Sequence, residues 1–281
     1  MVDTTRKMSV EKLRSMAAGG QKIVMLTAYD HPSAMIAEEA GIDIAFVGDS
    51  LAMLVLGLPS TVPVKLDEML VFMKAVSRGA HSPLLLGDMP FGSFLHPDQA
   101  VSNAARILKE GGMDAVKLEG GLEVADVVAA ITRRGIPVMG HIGLTPQTSG
   151  AHGGYRLQGK KAGQAMKLVD DALALEGAGA FAVVLELVPG EVAKMVSERL
   201  TIPTIGIGSG ADCDGQVLVW HDLLGLSTAY GKHVRQYANL HEVTLDAVTT
   251  YAADVRSERF PSEEQTWHMS DAEHRSLMAI I

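Results

Sequence analysis

Short, near-continuous apolar runs recur along the chain, at residues 23–30, 44–50, 84–88, 115–121, 137–142, 181–186, 203–208 and 216–220. Most of them end in a polar residue or a glycine. Between them the apolar positions return at helical spacing, which predicts helices over 33–40, 97–109, 122–134, 161–177 and 191–199. A further helix is predicted over 9–18, with Ser9 as its N-cap and Gly19-Gly20 as its stop. The last run, 216–220, has the weakest strand pattern.

Runs that do not alternate with polar residues belong to strands covered on both faces, as in parallel sheets. Eight strand–helix units in a chain of 281 residues predict a (β/α)8 TIM barrel in a single domain. Residues 1–20 form its N-terminal helix, 22–225 the barrel, and 226–281 a C-terminal helical segment and tail. A doubly wound open sheet is the competing architecture, but no G-x-G-x-x-G follows the first strand. Gly206-Ile207-Gly208-Ser209-Gly210 has a different spacing and reads as a tight loop.

Composition narrows the function classes. The net charge of −9 leaves no basic stripe for nucleic acid, so an anionic substrate must be met by local cations. Cys213 is the only cysteine, which excludes a disulfide framework and a thiolate zinc site. Residues 1–10 lack the apolar stretch of a signal peptide. The most apolar stretch, 42–58, is interrupted by Asp43, Asp49 and Ser50 and is unsuited to spanning a membrane. A soluble, cytoplasmic protein is expected.

Barrel active sites lie at the C-terminal ends of the strands. Asp49, Ser50, Asp88, Lys117, Glu119, His141 and Glu186 fall there. Lys117 and Glu119 share one face of their strand, because successive side chains alternate. Carboxylates from neighbouring strands, without cysteine, suit a hard cation with oxygen ligands, and Mg2+ is the natural choice. Structural readings stand beside these: Lys117–Glu119 as an internal ion pair, Asp88 as a turn aspartate, and His141 as a core histidine. Asp30 reads as a helix cap. Glu186, closing an apolar strand, is expected to be desolvated and therefore a stronger proton acceptor.

The motifs Thr27-Ala28-Tyr29-Asp30, Val47-Gly48-Asp49-Ser50, Gly87-Asp88-Met89-Pro90-Phe91, Val116-Lys117-Leu118-Glu119-Gly120-Gly121, Gly140-His141-Ile142-Gly143-Leu144-Thr145-Pro146-Gln147 and Ile205-Gly206-Ile207-Gly208-Ser209-Gly210 follow one another in the chain. Together they resemble the ketopantoate hydroxymethyltransferase family, over roughly residues 22–267. The resemblance implies transfer of a one-carbon unit from 5,10-methylenetetrahydrofolate to C3 of 3-methyl-2-oxobutanoate, toward pantothenate and coenzyme A. It implies Mg2+ surrounded by Asp49, Asp88 and Glu119, directly or through water. It places Asp49, Ser50, Asp88 and Lys117 beside the keto acid and makes Glu186 the proton acceptor. A cytoplasmic homo-oligomer, a decamer of barrels, is also implied.

The chain departs from the family pattern at 148–152, at 231–235 and in the tail 269–281, which leaves the folate contacts open. Another Mg2+-dependent carbon–carbon lyase, or a phosphoenolpyruvate mutase-like enzyme, is the alternative. Such enzymes carry a cysteine on a catalytic loop, and Cys213 comes too late in the chain to supply it. A barrel without activity is a third reading, which the intact carboxylates oppose. Because a barrel tolerates a smaller side chain at a strand end, Asp88→Ala and Glu119→Ala are expected to leave the fold intact.

Overall fold

A computed structural model describes residues 7–152, 154–227 and 231–281. Its strands are β1 (Ile23–Thr27), β2 (Ile44–Val47), β3 (Leu84–Asp88), β4 (Ala115–Glu119), β5 (Val138–Gly143), β6 (Ala182–Glu186), β7 (Thr204–Ile207) and β8 (Gly215–Leu218). All are parallel and hydrogen-bonded in sequence order into a closed barrel, β8 returning to β1. This is the expected TIM barrel. The strands stop earlier than several apolar runs because Ala28-Tyr29-Asp30 and Gly48-Asp49-Ser50 already belong to the loops above them.

The helices are α1 (Val10–Ala18), α2 (His31–Glu39), α3 (Leu51–Leu54), α4 (Leu66–Gly79), α5 (Pro97–Lys109), α6 (Ala125–Thr132), α7 (Ala162–Gly177), α8 (Gly190–Ser197), α9 (Trp220–Leu223), α10 (Leu240–Arg256) and α11 (Asp271–Met278). The expected helix at 122–134 is split, a 3-10 turn at Leu122–Val124 preceding α6. Helix α4 was not legible as a separate element, although Met69, Leu70, Met73 and Val76 give it a buried stripe. Asp30 is the cap it was expected to be: its carboxylate accepts from Ser33 N–H at 2.8 Å, and Ser33 Oγ accepts from Asp30 N–H at 3.1 Å.

The run at 216–220 needs correction at its end. Strand β8 finishes at Leu218, and Trp220 opens α9 with its N–H donated to Thr27 Oγ1 at 2.9 Å. Only Gly215 and Gln216 pair with β7, so the last strand is short on that side.

Two apolar layers build the barrel. Outward-facing residues such as Val116, Leu118, Val183 and Leu185 pack against the helices. Inward-facing Ile44, Phe46, Leu84, Leu86, Met139, Phe181, Val184 and Ile205 fill the interior together with Leu13 and Met16 of α1. Burying such a side chain contributes about 1.5–3 kcal/mol, so α1 closes the N-terminal mouth and leaves the other end for chemistry. Along single strands the inward face then changes from apolar to charged: Leu84, Leu86, Asp88 on β3, and Ala182, Val184, Glu186 on β6. Gly143 ends β5 at φ +95°, and a Cβ there would collide with the Glu186 carbonyl oxygen, so glycine lets the two strands close beside that carboxylate.

The C-terminal helices differ from the rest. Helix α10 has no buried residue, and its Val243, Leu245, Val248 and Tyr251 are exposed. Among the described residues, no helix is long and apolar enough to cross a membrane.

Candidate active site

Strand register brings the charged residues together. Asp88 pairs with Lys117 across β3–β4, Glu119 with His141 across β4–β5, and Gly143 with Glu186 across β5–β6. Asp49 and Ser50 enter from the loop after β2. All seven residues singled out in the sequence line one cavity of about 1550 Å3 at the C-terminal end of the barrel. Ligand pockets commonly measure about 300–1,000 Å3, and this one exceeds that range.

Lys117 is the centre of the cluster. Its Nζ lies 2.9 Å from Asp88 Oδ1, 3.2 Å from His141 Nδ1 and 3.9 Å from Glu119 Oε1. The ion pair expected within β4 is therefore the looser of two, and the tight partner comes from β3. Both members of the tight pair are buried, with side-chain exposures of 4% for Lys117 and 1% for Asp88. Burial alone would drive off the Lys117 charge, but Asp88, Glu119 and Asp49 reverse this and raise its pKa. The ammonium is kept.

The carboxylates are strained electrostatically. Burial pushes Asp88 up to about 7, against the opposing pull of Lys117, and Asp49 adds to the rise. Glu119 is also raised, by burial first and then by Asp49 and Asp88, with Lys117 opposing. Asp88 Oδ2 accepts from Asp49 N–H at 3.1 Å, and Glu119 Oε2 accepts from Gln147 N–H at 3.0 Å. Glu119 Oε1 is buried without a hydrogen-bond partner. Three carboxylates thus face a single ammonium, an excess of buried oxygen donors that fits a divalent cation. Among the described residues, no three His, Cys, Asp or Glu side chains converge closely enough to hold an ion by themselves. A cation here would complete its shell with water or substrate, as Mg2+ commonly does.

His141 is neither a passive core residue nor isolated. Burial and Lys117 lower its pKa, so it is neutral. Facing the Lys117 ammonium, Nδ1 must accept, so the ring proton sits on Nε2, which lies 3.2 Å from Glu186 Oε2 without the alignment of a formed hydrogen bond. The histidine stands beside one edge of Glu186. That carboxylate is less dry than its apolar strand implies: its side chain is 19% exposed, against 2% for Glu119. Ser50 Oγ shares a 2.8 Å hydrogen bond with Tyr29 Oη. Cys213 is fully buried in the outer layer and does not line the cavity.

Two residues of this network were not singled out from the sequence. Tyr29 and Gln147 were visible only as members of motifs, since a loop position gives no periodic signal that its side chain returns to the barrel mouth.

The sequence pattern of the family described as ketopantoate hydroxymethyltransferase matches residues 7–263. A 3-methyl-2-oxobutanoate hydroxymethyltransferase of Carboxydothermus hydrogenoformans is 52% identical over 266 residues, covering 94% of this chain and 96% of its own. The enzyme of that name from Geobacillus kaustophilus is 51% identical over 264 residues, covering 93% and 95%. Among solved structures, a phosphoenolpyruvate phosphomutase from Streptomyces platensis subsp. rosaceus superposes with a TM-score of 0.60 at 15% identity, over 97% of this chain and 96% of that one. A phosphonopyruvate hydrolase complexed with oxalate and Mg2+ gives 0.57 at 15% identity, over 96% and 95%. The distant structures share the barrel, whereas the relatives at half identity share nearly the whole sequence, and on that ground this chain belongs to the ketopantoate hydroxymethyltransferase family.

Proposed function

We propose that this chain moves a one-carbon unit from 5,10-methylenetetrahydrofolate to C3 of 3-methyl-2-oxobutanoate, forming 2-dehydropantoate. The observation that carries the reading beyond family membership is the line Asp88–Lys117–His141–Glu186, which sets a buried cation and a solvent-reached carboxylate on one cavity wall. A proton beside a ketone is far less acidic than a carboxylic acid of pKa ~4.3, and each unit of mismatch costs ~1.4 kcal/mol. Removal of that proton therefore needs positive charge near the keto oxygen. Lys117 supplies one cation in this acidic chain, and Asp49, Asp88 and Glu119 are the residues that would hold Mg2+, in part through water. Bound there, Mg2+ would act as a Lewis acid that absorbs negative charge developing on the keto acid.

Glu186 takes the C3 proton onto its carboxylate, with the His141 imidazole packed 3.2 Å from its Oε2. Ser50, steadied by the Tyr29 hydroxyl, and Asp49 border the keto acid. The remaining volume, toward Tyr155, Asp222 and His233, is assigned to the folate. The apolar face left open on α10 supports assembly into a homo-oligomer; the decamer and the cytoplasmic setting rest on family resemblance. Incubating the protein with keto acid, methylenetetrahydrofolate and Mg2+ should yield 2-dehydropantoate. Absence of that product, with the protein folded and the substrates intact, would overturn the proposal.

The same electrostatics predict a pH effect. In the metal-free protein Asp88 has a folded pKa near 7 against an unfolded value near 4. Its contribution to stability is complete below about pH 4 and is lost as the pH rises through about 7. Saturating Mg2+ binds the ionised carboxylate and should flatten this decline. Melting temperatures measured across that window with and without Mg2+ test it, and parallel curves would remove Asp88 from the cation site.

A further inference from the structure

Gln147 lies on the 3-10 turn Pro146–His152, directly above β5, and is 4% exposed. An amide in such a place costs stability unless its groups are bonded. Nε2 donates to Asp49 Oδ2 at 2.9 Å and to the Met89 carbonyl at 3.0 Å. The main-chain N–H of the same residue donates to Glu119 Oε2 at 3.0 Å. Both partners of Nε2 are pure acceptors, which fixes the amide orientation. Its Oε1 is consequently left buried with no hydrogen-bond partner.

One residue therefore bonds an oxygen on each of two carboxylates, Asp49 from the loop after β2 and Glu119 from β4. Glu119 Oε1, 3.9 Å from Lys117 Nζ, makes no hydrogen bond, and Gln147 Oε1 is a second unused acceptor in the same enclosure. We infer that Gln147 is a positioning residue of the cation site. It selects which oxygens Asp49 and Glu119 turn toward a divalent cation, and its Oε1 accepts a hydrogen from a water on that cation. This inference rests on the metal reading given under Proposed function. Groups that orient metal ligands through hydrogen bonds typically change metal affinity by about 10–100-fold when removed; the side chain of Gln147 acts on Asp49, while its main-chain N–H, which a substitution keeps, acts on Glu119.

The test uses Mn2+ as a probe, read by electron paramagnetic resonance on full-length protein, without turnover. Gln147→Met keeps the length and removes both the donor and the acceptor. Gln147→Asn keeps the amide but is one methylene too short to reach Asp49 and Met89 together. In each folded variant Mn2+ affinity should fall about 10–100-fold, at temperatures well below melting where circular dichroism matches the parent. A purely structural glutamine would lower the melting temperature and leave affinity within about twofold, and that result overturns the inference while the metal reading stands. Failure of both variants to fold assigns Gln147 to the fold and likewise overturns it. Failure of the parent protein to bind Mn2+ or Mg2+ overturns both readings.

Discussion

Glu186→Gln is expected to lower kcat by about 10²–10⁴-fold, the usual contribution of a positioned base, with little change in cation or keto-acid binding. Glutamine has the same shape, and its amide oxygen can still face His141 Nε2–H, so the 3.2 Å contact with that histidine can be retained. What disappears is the lone pair that takes the proton. The cleanest measurement omits the folate: with Mg2+ in deuterated water, the parent protein should exchange the C3 proton of the keto acid, and Glu186→Gln should not. Exchange at the parental rate would move the base elsewhere, and neutral His141 is the next group in line.

Asp88→Ala should cost both stability and cation binding. Sequence reasoning expected a strand end to tolerate the smaller residue. The structure changes that expectation, because Asp88 is the 2.9 Å partner of a lysine that is 4% exposed. Removing one member of a buried pair typically costs about 3–5 kcal/mol, and here Lys117 would keep only the looser 3.9 Å ion pair with Glu119. For a domain of this size that is roughly a 10 °C fall in melting temperature. Asp49 N–H loses its acceptor as well. Asp88→Asn separates the two effects: it keeps the volume and an oxygen toward Lys117, so most of the stability should return while Mg2+ affinity stays low. Equal Mg2+ affinity in Asp88→Asn and the parent would show that this carboxylate does not hold the cation.

The sequence by itself determined the barrel and the rim. Continuous apolar runs spaced by amphipathic helices admit few arrangements other than a closed parallel sheet. Charges that interrupt such runs at their C-terminal ends must then face one cavity, and Asp49, Ser50, Asp88, Lys117, Glu119, His141 and Glu186 do. The Asp30 cap was equally local, for its box closes within a few residues. Tertiary structure decided the pairings. Strand register, set by contacts distant in sequence, gave Lys117 to Asp88 more tightly than to Glu119, two positions along its own strand. It also turned His141 into a bridge between Lys117 and Glu186. The role of Gln147 was hidden for the same reason: a loop residue carries no period, and only the folded barrel shows its amide reaching Asp49, ninety-eight positions earlier in the chain.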